Sequence, residues 1–203
     1  YYYNMKFNTS DIQFSNVDKK KGLILSEEPS ERLAEFIGIL SGDGYMNFYP
    51  PYFSIIEIAG DSRLDQNYLL NYVSEKIRLL FNLKPKIRVR KDQNCMYLRL
   101  MSKALVEYLE MVGFKKGKKE QIGIPLWILL NDQYMKSFIK GVADTDFSLV
   151  LLNRNQKKYR YYPRVSLASK SKRLIFGIHG WLDQQGIKGN AQYDYWQKDS
   201  RGT

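Results

Sequence analysis

Thiols and imidazoles are nearly missing: among 203 residues there is one cysteine, Cys95, and one histidine, His179. A lone cysteine excludes an internal disulfide framework, and the two together exclude a multi-cysteine zinc cluster. Both side chains read as structural. Long apolar runs are absent as well. The longest, such as "IPLWILL" at 124–130, fall far short of the roughly 20 residues a membrane-spanning helix needs. No leader of charged, then apolar, then small residues opens the chain. A soluble intracellular protein is expected, with the compartment open. Position 1 is Tyr, in "YYYNM", which reads as a stretch cut from something longer.

Negative charge is scarce too. Twenty-one Asp and Glu stand against 32 Lys and Arg, for a formal net charge of +11. That balance favours a polyanionic partner, because each neutralised phosphate releases counterions. What is plentiful is apolar content, 44%, enough to bury a real core in one domain or two small lobes.

The sequence echoes itself once. "FIGILSGDGYM" (36–46) returns as "FIKGVADTDFSLVL" (138–151), with Asp43 aligned on Asp146 at an offset of 146 − 43 = 103 residues. Ala34, Gly38 and Gly42 then coincide with Ser137, Gly141 and Thr145. Each trio recurs every fourth residue and forms one stripe along a helix, with the aspartate at its C-terminal end. Small stripes let two helix backbones approach closely. If the two helices pack roughly parallel, Asp43 and Asp146 meet at the negative pole of both helix dipoles and repel unless a cation lies between them. Two acids with the terminal carbonyls of Gly42 and Thr145 suit Mg²⁺ or another divalent cation, which keeps much of its water shell.

At these residues the sequence resembles the LAGLIDADG homing endonucleases, single-chain type, whose two nine-residue motifs stand where "FIGILSGDG" and "IKGVADTDF" stand here. The resemblance covers most of the chain from Ser30 onward. It implies an α+β fold of two pseudo-symmetric αββαββα lobes packed through the motif helices, with antiparallel sheets forming a DNA-binding saddle. It also implies a monomeric, Mg²⁺-dependent enzyme that cuts both strands of a long double-stranded DNA target across the minor groove and leaves 3′ overhangs. Asp43 and Asp146 take the metal-binding role. Family members often add a lysine and a glutamine near the site. By position Lys170 matches the lysine of the second lobe, and Lys103 or Arg99 that of the first. Where a first-lobe glutamine would stand, this sequence reads "IEIAGDS". Phe147 replaces the glycine that Gly44 supplies in the first copy, so the path after Asp146 is expected to differ.

The rest of the chain supports two lobes. Residues 1–29 read as an N-terminal extension, 30–114 as the first lobe, 115–124 ("KKGKKEQ" and its flanks) as a basic linker, and 125–203 as the second lobe. Ser30 is a candidate N-cap, and Leu33, Phe36, Ile37 and Leu40 repeat at helical spacing. "YMNFY" and "YFSIIEIA" read as a hairpin, and Asp65 is a candidate cap of the next helix, whose Leu69, Val73, Ile77 and Leu80 form an apolar face. A second hairpin, "KIRVR" with "CMYLRLM", alternates Ile87 and Val89 against Arg88 and Arg90, with Arg99 joining the basic face. "KALVEYLEMVGF" closes the lobe, and Gly113 could end that helix. Pro125 restarts helix, and Asp132 or a neighbour caps the second motif helix.

In the second lobe, Lys157, Lys158 and Arg160 occupy a basic turn that serves either phosphate contact or solvation. Arg164 and Ser166 should face the groove. "LIFGIHGWLDQQG" is the next helix, and "IKGNAQYDYWQKDSRGT" starts a last hairpin. An equivalent of the first lobe's closing helix would fall near 206–217, so the second lobe reads as incomplete.

Chemistry that proceeds through a protein nucleophile finds no activated serine or cysteine here. Metal-assisted hydrolysis needs only carboxylates, a divalent ion and basic groups. An RNA-binding intron maturase on the same scaffold and a cleavage-inactive DNA-binding regulator are the alternatives. Retention of both acids argues against the regulator. Origin in an intron, in an intein or as a free-standing gene is left open.

Overall fold

The computed structural model describes residues 5–50, 53–153 and 161–193. It runs α1 (Asn16–Lys21), α2 (Glu31–Asp43), β1 (Gly44–Tyr49), β2 (Phe53–Asp61), a π-helical stretch (Tyr68–Val73) that continues into α3 (Ser74–Phe81), β3 (Lys86–Arg90), β4 (Cys95–Leu100), α4 (Lys103–Met111), α5 (Leu126–Leu129), α6 (Asp132–Asp146), β5 (Phe147–Asn153), β6 (Tyr161–Leu167) and α7 (Lys172–Gln184). The first half, α2 to α4, has the expected αββαββα order. Its strands form one antiparallel sheet, β1-β2-β4-β3.

Helix α2 begins where Ser30 accepts a hydrogen bond from the Leu33 N–H at 3.2 Å and is buried on nearly every side from Leu33 to Gly42. A helix apolar all round belongs in a core. Leu33, Phe36, Ile37 and Leu40 pack with Met46, Ile56, Ile58 and Leu98 of the sheet and with Ile77, Phe81, Leu105 and Leu109 of α3 and α4. Each such side chain contributes about 1.5–3 kcal/mol on burial. Strand register places Met46, Ile56 and Leu100 in one row and Ile58, Leu98 and Ile87 in another, all on the core side. β3 lies at the sheet edge, so Ile87 and Val89 remain 53% and 44% exposed despite facing that way.

The second half, among the described residues, is α6-β5-β6-α7, with β5 and β6 an antiparallel pair. Asn131, rather than Asp132, caps α6, accepting from the Gln133 and Tyr134 N–H groups at 2.9 and 3.1 Å. Residues 187–193, expected to open a last hairpin, contain no strand.

The N-terminal segment belongs to the body of the molecule. Phe7 is buried edge-on against Tyr108 of α4 and Trp127 of α5. The Ile24 N–H reaches the Phe81 carbonyl at 3.1 Å, and the Tyr108 hydroxyl donates to the Ser26 carbonyl at 2.9 Å.

Helices α2 and α6 run parallel with their backbones touching. A Cβ added at Gly38 would collide with the Phe138 carbonyl and stand 3.1 Å from the Val142 nitrogen. One added at Gly141 would collide with the Glu35 carbonyl and stand 2.8 Å from the Ile39 nitrogen. Gly180, on α7, faces open space. Gly141→Ala is therefore expected to destabilise the protein by about 1–3 kcal/mol, whereas Gly180→Ala should stabilise it by about 0.4–1 kcal/mol, both read from chemical denaturation midpoints.

Candidate active site

Parallel packing brings the two motif acids to one place. A Cβ on Gly42 would collide with the Thr145 hydroxyl and lie 3.3 Å from the Asp146 Cγ, so the last turn of α2 abuts the residues that carry the second acid. Asp43 and Asp146 are both half-buried. Burial, and then the charge of Asp146, push Asp43 up to about 6, with Asp65 adding to the rise and Lys119 opposing it. Burial raises Asp146 too, again against Lys119. Two carboxylates at the negative ends of two helices are hard to ionise together, and the conflict falls on Asp43, beside the Asp146 charge.

Extended backbone follows the acid in both copies, but the two exits differ, as expected from Phe147: the Gly44 N–H bonds the Leu40 carbonyl and a Cβ at Gly44 would collide with the Leu40 backbone, a position that a residue with a side chain cannot take. Gly44 leaves α2 at φ −83°, ψ 153°, and Phe147 leaves α6 at φ −83°, ψ 145°. Both are extended, a conformation any residue adopts, so glycine is not required there for its left-handed freedom.

The cation standing over the acids comes from the segment between the halves. Lys119, in a single 3₁₀ turn (Lys119–Gln121), donates its Nζ to the Gly42 carbonyl. That carbonyl, expected to face a metal, is thus engaged by an ammonium, and the Thr145 hydroxyl donates back to the Gly141 and Val142 carbonyls of its own helix at 3.1 and 3.0 Å. The only sequence signal for Lys119 is its place in a basic linker; its reach depends on a fold in which the linker crosses the end of α2.

A pocket of about 250 Å³ opens beside Asp43, lined by Tyr45, Ala59, Lys115 and Lys119 among others. A smaller cavity of about 40 Å³ lies between Asp43, Asp65, Asp144 and Thr145. Tyr68, whose buried hydroxyl has no partner among the described residues, also lines it. Asp65 stands at the start of the following helix, its carbonyl accepting from the Leu69 N–H at 2.9 Å, but its side chain turns back and Oδ2 accepts from the Asp61 N–H at 2.7 Å instead of capping the helix.

The sheet face opposite the core carries the remaining polar candidates. Arg88 and Arg90 are exposed on β3, paired across to Tyr97 and Cys95, and the Arg90 guanidinium lies 5.4 Å from the Tyr97 ring centre. Arg99 shares that face but is already engaged: its Nε and Nη2 donate to Glu57 Oε1 at 2.7 and 2.6 Å. Lys103 pairs with Glu107 at 3.3 Å at the start of α4, 61% exposed. Lys170 is exposed in the turn before α7. Arg164 is exposed on β6 opposite Val150, and Ser166 bonds Ser148 across the strands at 2.9 Å. Lys157, Lys158 and Arg160 lie outside the described residues.

Among the described residues no group of three or more His, Cys, Asp and Glu side chains is arranged to hold a metal ion. An oxygen-only site of two carboxylates with carbonyls near by still fits a hard cation of the Mg²⁺ kind, which uses one or two protein carboxylates and fills the rest with water and phosphate. The charge the two acids place together is what such an ion would neutralise. No helix among the described residues is long and apolar enough to cross a membrane.

An αββαββα first half, a second half built on the same helix–hairpin plan, and small-residue helices meeting at paired acids make up the LAGLIDADG homing-endonuclease fold. The chain has that fold, as its motif resemblance implied. Among solved structures it matches I-DmoI in complex with DNA and Mn, with a TM-score of 0.57 and 21% identity over 84% of this chain and 84% of that one. It matches mesophilic variants of I-DmoI with a TM-score of 0.53 over 77% of each. No protein-family model matches. An uncharacterised protein of Methanocaldococcus jannaschii is 26% identical over 180 residues, 85% of this chain and 60% of that protein. One component of the A-type ATP synthase of Pyrococcus abyssi is 30% identical over 134 residues, 64% of this chain and 12% of that polypeptide. The chain thus spans three fifths of one curated relative's length and a small part of the other's.

The raised Asp43 makes a signed prediction. A carboxyl whose folded value is raised stabilises the fold while protonated. That contribution is complete below the unfolded value of about 4 and is lost as pH rises through about 6. Asp43→Asn, neutral throughout, is expected to melt above the parent in EDTA at neutral pH, and level with it below about pH 4. A variant that melts lower than the parent at neutral pH contradicts the coupling of the two acids.

Proposed function

We propose that this chain is a site-specific endonuclease that hydrolyses both strands of a long double-stranded DNA target with a divalent metal. The observation that carries the reading is the convergence of Asp43 and Asp146 at the adjoining ends of two parallel helices in backbone contact. It is supported by the basic sheet edge of Lys86, Arg88 and Arg90, by the net charge of +11 and by a fold shared with I-DmoI, which was solved in complex with DNA and Mn.

In this reading Asp43 and Asp146, one for each strand, would hold the divalent ion, with Thr145 offering a carbonyl oxygen, whereas the Gly42 carbonyl is taken by Lys119. Bound there, Mg²⁺ or a similar ion supplies Lewis-acid chemistry toward a phosphodiester. The protein's own groups do the rest. Lys119 places an ammonium where a scissile phosphate approaching the acids would carry its charge, an electrostatic role that a preorganised donor performs without reorganising at the moment of reaction. It takes the part that position alone assigned to Lys103 or Arg99, and Lys170 remains the candidate of the second half. The pocket beside Asp43, with Lys115 and Lys119 on its wall, gives the sugar-phosphate backbone room next to the acid. Arg88, Arg90 and Arg164 neutralise phosphates or read base edges, with Lys157, Lys158 and Arg160 assigned the same task. Both acids come from one chain, so the active unit is a monomer.

Double-strand cleavage of a randomised-site plasmid library in Mg²⁺, with the junctions sequenced, tests the reading and identifies the target. Asp43→Asn or Asp146→Asn is expected to abolish double-strand cutting and leave tight, steeply salt-dependent DNA binding; cutting that survives in the double variant refutes the site. Lys119→Met is expected to lower the cleavage rate about a hundredfold with DNA affinity little changed, measured in single-turnover kinetics. Binding of folded RNA without any DNA cleavage by the parent would favour the maturase reading instead.

A further inference from the structure

Farther down the same helix pair, an ion cluster centred on one buried carboxylate joins the two halves, with Tyr72 39% exposed and the Lys140 side chain 51% exposed at its rim. Glu35, two turns before Asp43 on α2, is buried. Its Oε2 accepts from Lys76 Nζ of α3 at 2.8 Å, and its Oε1 accepts from Lys140 Nζ of α6 at 2.6 Å and from the Tyr72 hydroxyl. Lys140 also donates to the Tyr72 hydroxyl and lies 3.4 Å from Asp144 Oδ2, one turn further along α6. The Tyr72 ring centre lies 4.9 Å from the Lys76 ammonium and 4.5 Å from that of Lys140, and the ring is stacked on Tyr68 at 5.5 Å. Tyr72 comes from the π-helical stretch, and such widened turns are often retained where a side chain must be aimed. Burial disfavours the Glu35 charge, but the hydrogen bonds from Lys140, Lys76 and Tyr72 outweigh it and hold the carboxyl below its usual value.

Glu35, Lys76, Tyr72 and Lys140 line neither cavity at Asp43, which the cluster approaches through Tyr68 and Asp144. Their effect lies in what the helix pair lacks. Interdigitating side chains normally fix the register of two packed helices, and here glycine backbones meet instead, at Gly38 and Gly141. Smooth contact leaves sliding and rotation weakly opposed. An ion pair on a buried carboxylate adds little net stability, and its best-attested use is to fix register, here through the bond of Lys140 on α6 to the buried Glu35 on α2. From Lys140 to Asp146 is six residues, about 9 Å of helix, so a shift at one is carried rigidly to the other. A displacement of about 1 Å at a reacting group costs on the order of a hundredfold in rate.

We propose that Glu35, Tyr72 and Lys140 are positioning residues that set the register of α6 on α2 and thereby hold Asp146 in place beside Asp43. Their consequence for cleavage rests on the endonuclease reading, whereas the register itself can be measured without it. In amide exchange of the metal-free chain, Lys140→Met is expected to speed exchange at residues 142–146 about tenfold and leave residues 36–40 within about twofold, with Lys140→Arg restoring the parent pattern. Unchanged exchange at 142–146 in a folded variant overturns the proposal. If Lys140→Met does not fold, Tyr72→Phe, which removes one hydroxyl, carries the same comparison. In Mg²⁺ cleavage, Lys140→Met should change the ratio of the two strand-cutting rates by about tenfold or more, with DNA affinity within about twofold; equal slowing of both strands argues a general loss of stability and overturns it. A parent chain that cuts no DNA counts against the endonuclease reading alone, and the exchange result still decides the positioning role.

Discussion

Everything in this molecule hangs on two helices whose backbones touch. Gly38 and Gly141 leave no room for a side chain between α2 and α6, and the resulting parallel contact forces Asp43 and Asp146 to the same end. The charge conflict there is a direct product of the packing, and burial sharpens it, raising both carboxyls. A fold optimised for stability alone would not place two acids at two helix C-termini. The arrangement makes sense as a standing demand for positive charge, met in part by Lys119 from one side.

Charge is organised in layers around that contact. Acidic groups gather at the helix ends, where Asp65 and Asp144 join Asp43 around one small cavity. Basic groups spread over the sheet edge and the linker. Between them some pairs are already matched, and Arg99 with Glu57 is the clearest, a tight ion pair side by side on neighbouring strands. Such a matched pair is less free to meet a phosphate than Arg88 or Arg90, because a new partner must first displace the carboxylate.

The helices and their stripes are legible because an internal repeat is a pattern of spacing, and spacing survives in one dimension. Ser30 as a cap, the αββαββα order of the first half and the end of α4 at Gly113, whose φ is +99°, all follow from local rules. What escapes depends on distant residues meeting. Lys119 sits 77 positions from Gly42, and Glu35 is 105 from Lys140; neither pairing leaves a periodic trace. The π-helical turn is hidden because its residues carry the apolar spacing of an ordinary helix. The glycine at 44 misleads for a different reason: it suggests a left-handed backbone, whereas the chain there is extended and what glycine supplies is room against the Leu40 backbone.

The uneven build of the two halves has a consequence for assembly. The first half closes a four-stranded sheet under three helices and can bury its own core. The described part of the second has a two-stranded sheet with Leu149, Leu151 and Val165 each more than 60% exposed, and a two-stranded ribbon is marginal by itself in water. Its helix α6 finds its complement in α2, which emerges earlier in synthesis. The earlier half is therefore a template in time as well as in space, an already shaped wall against which the later one condenses.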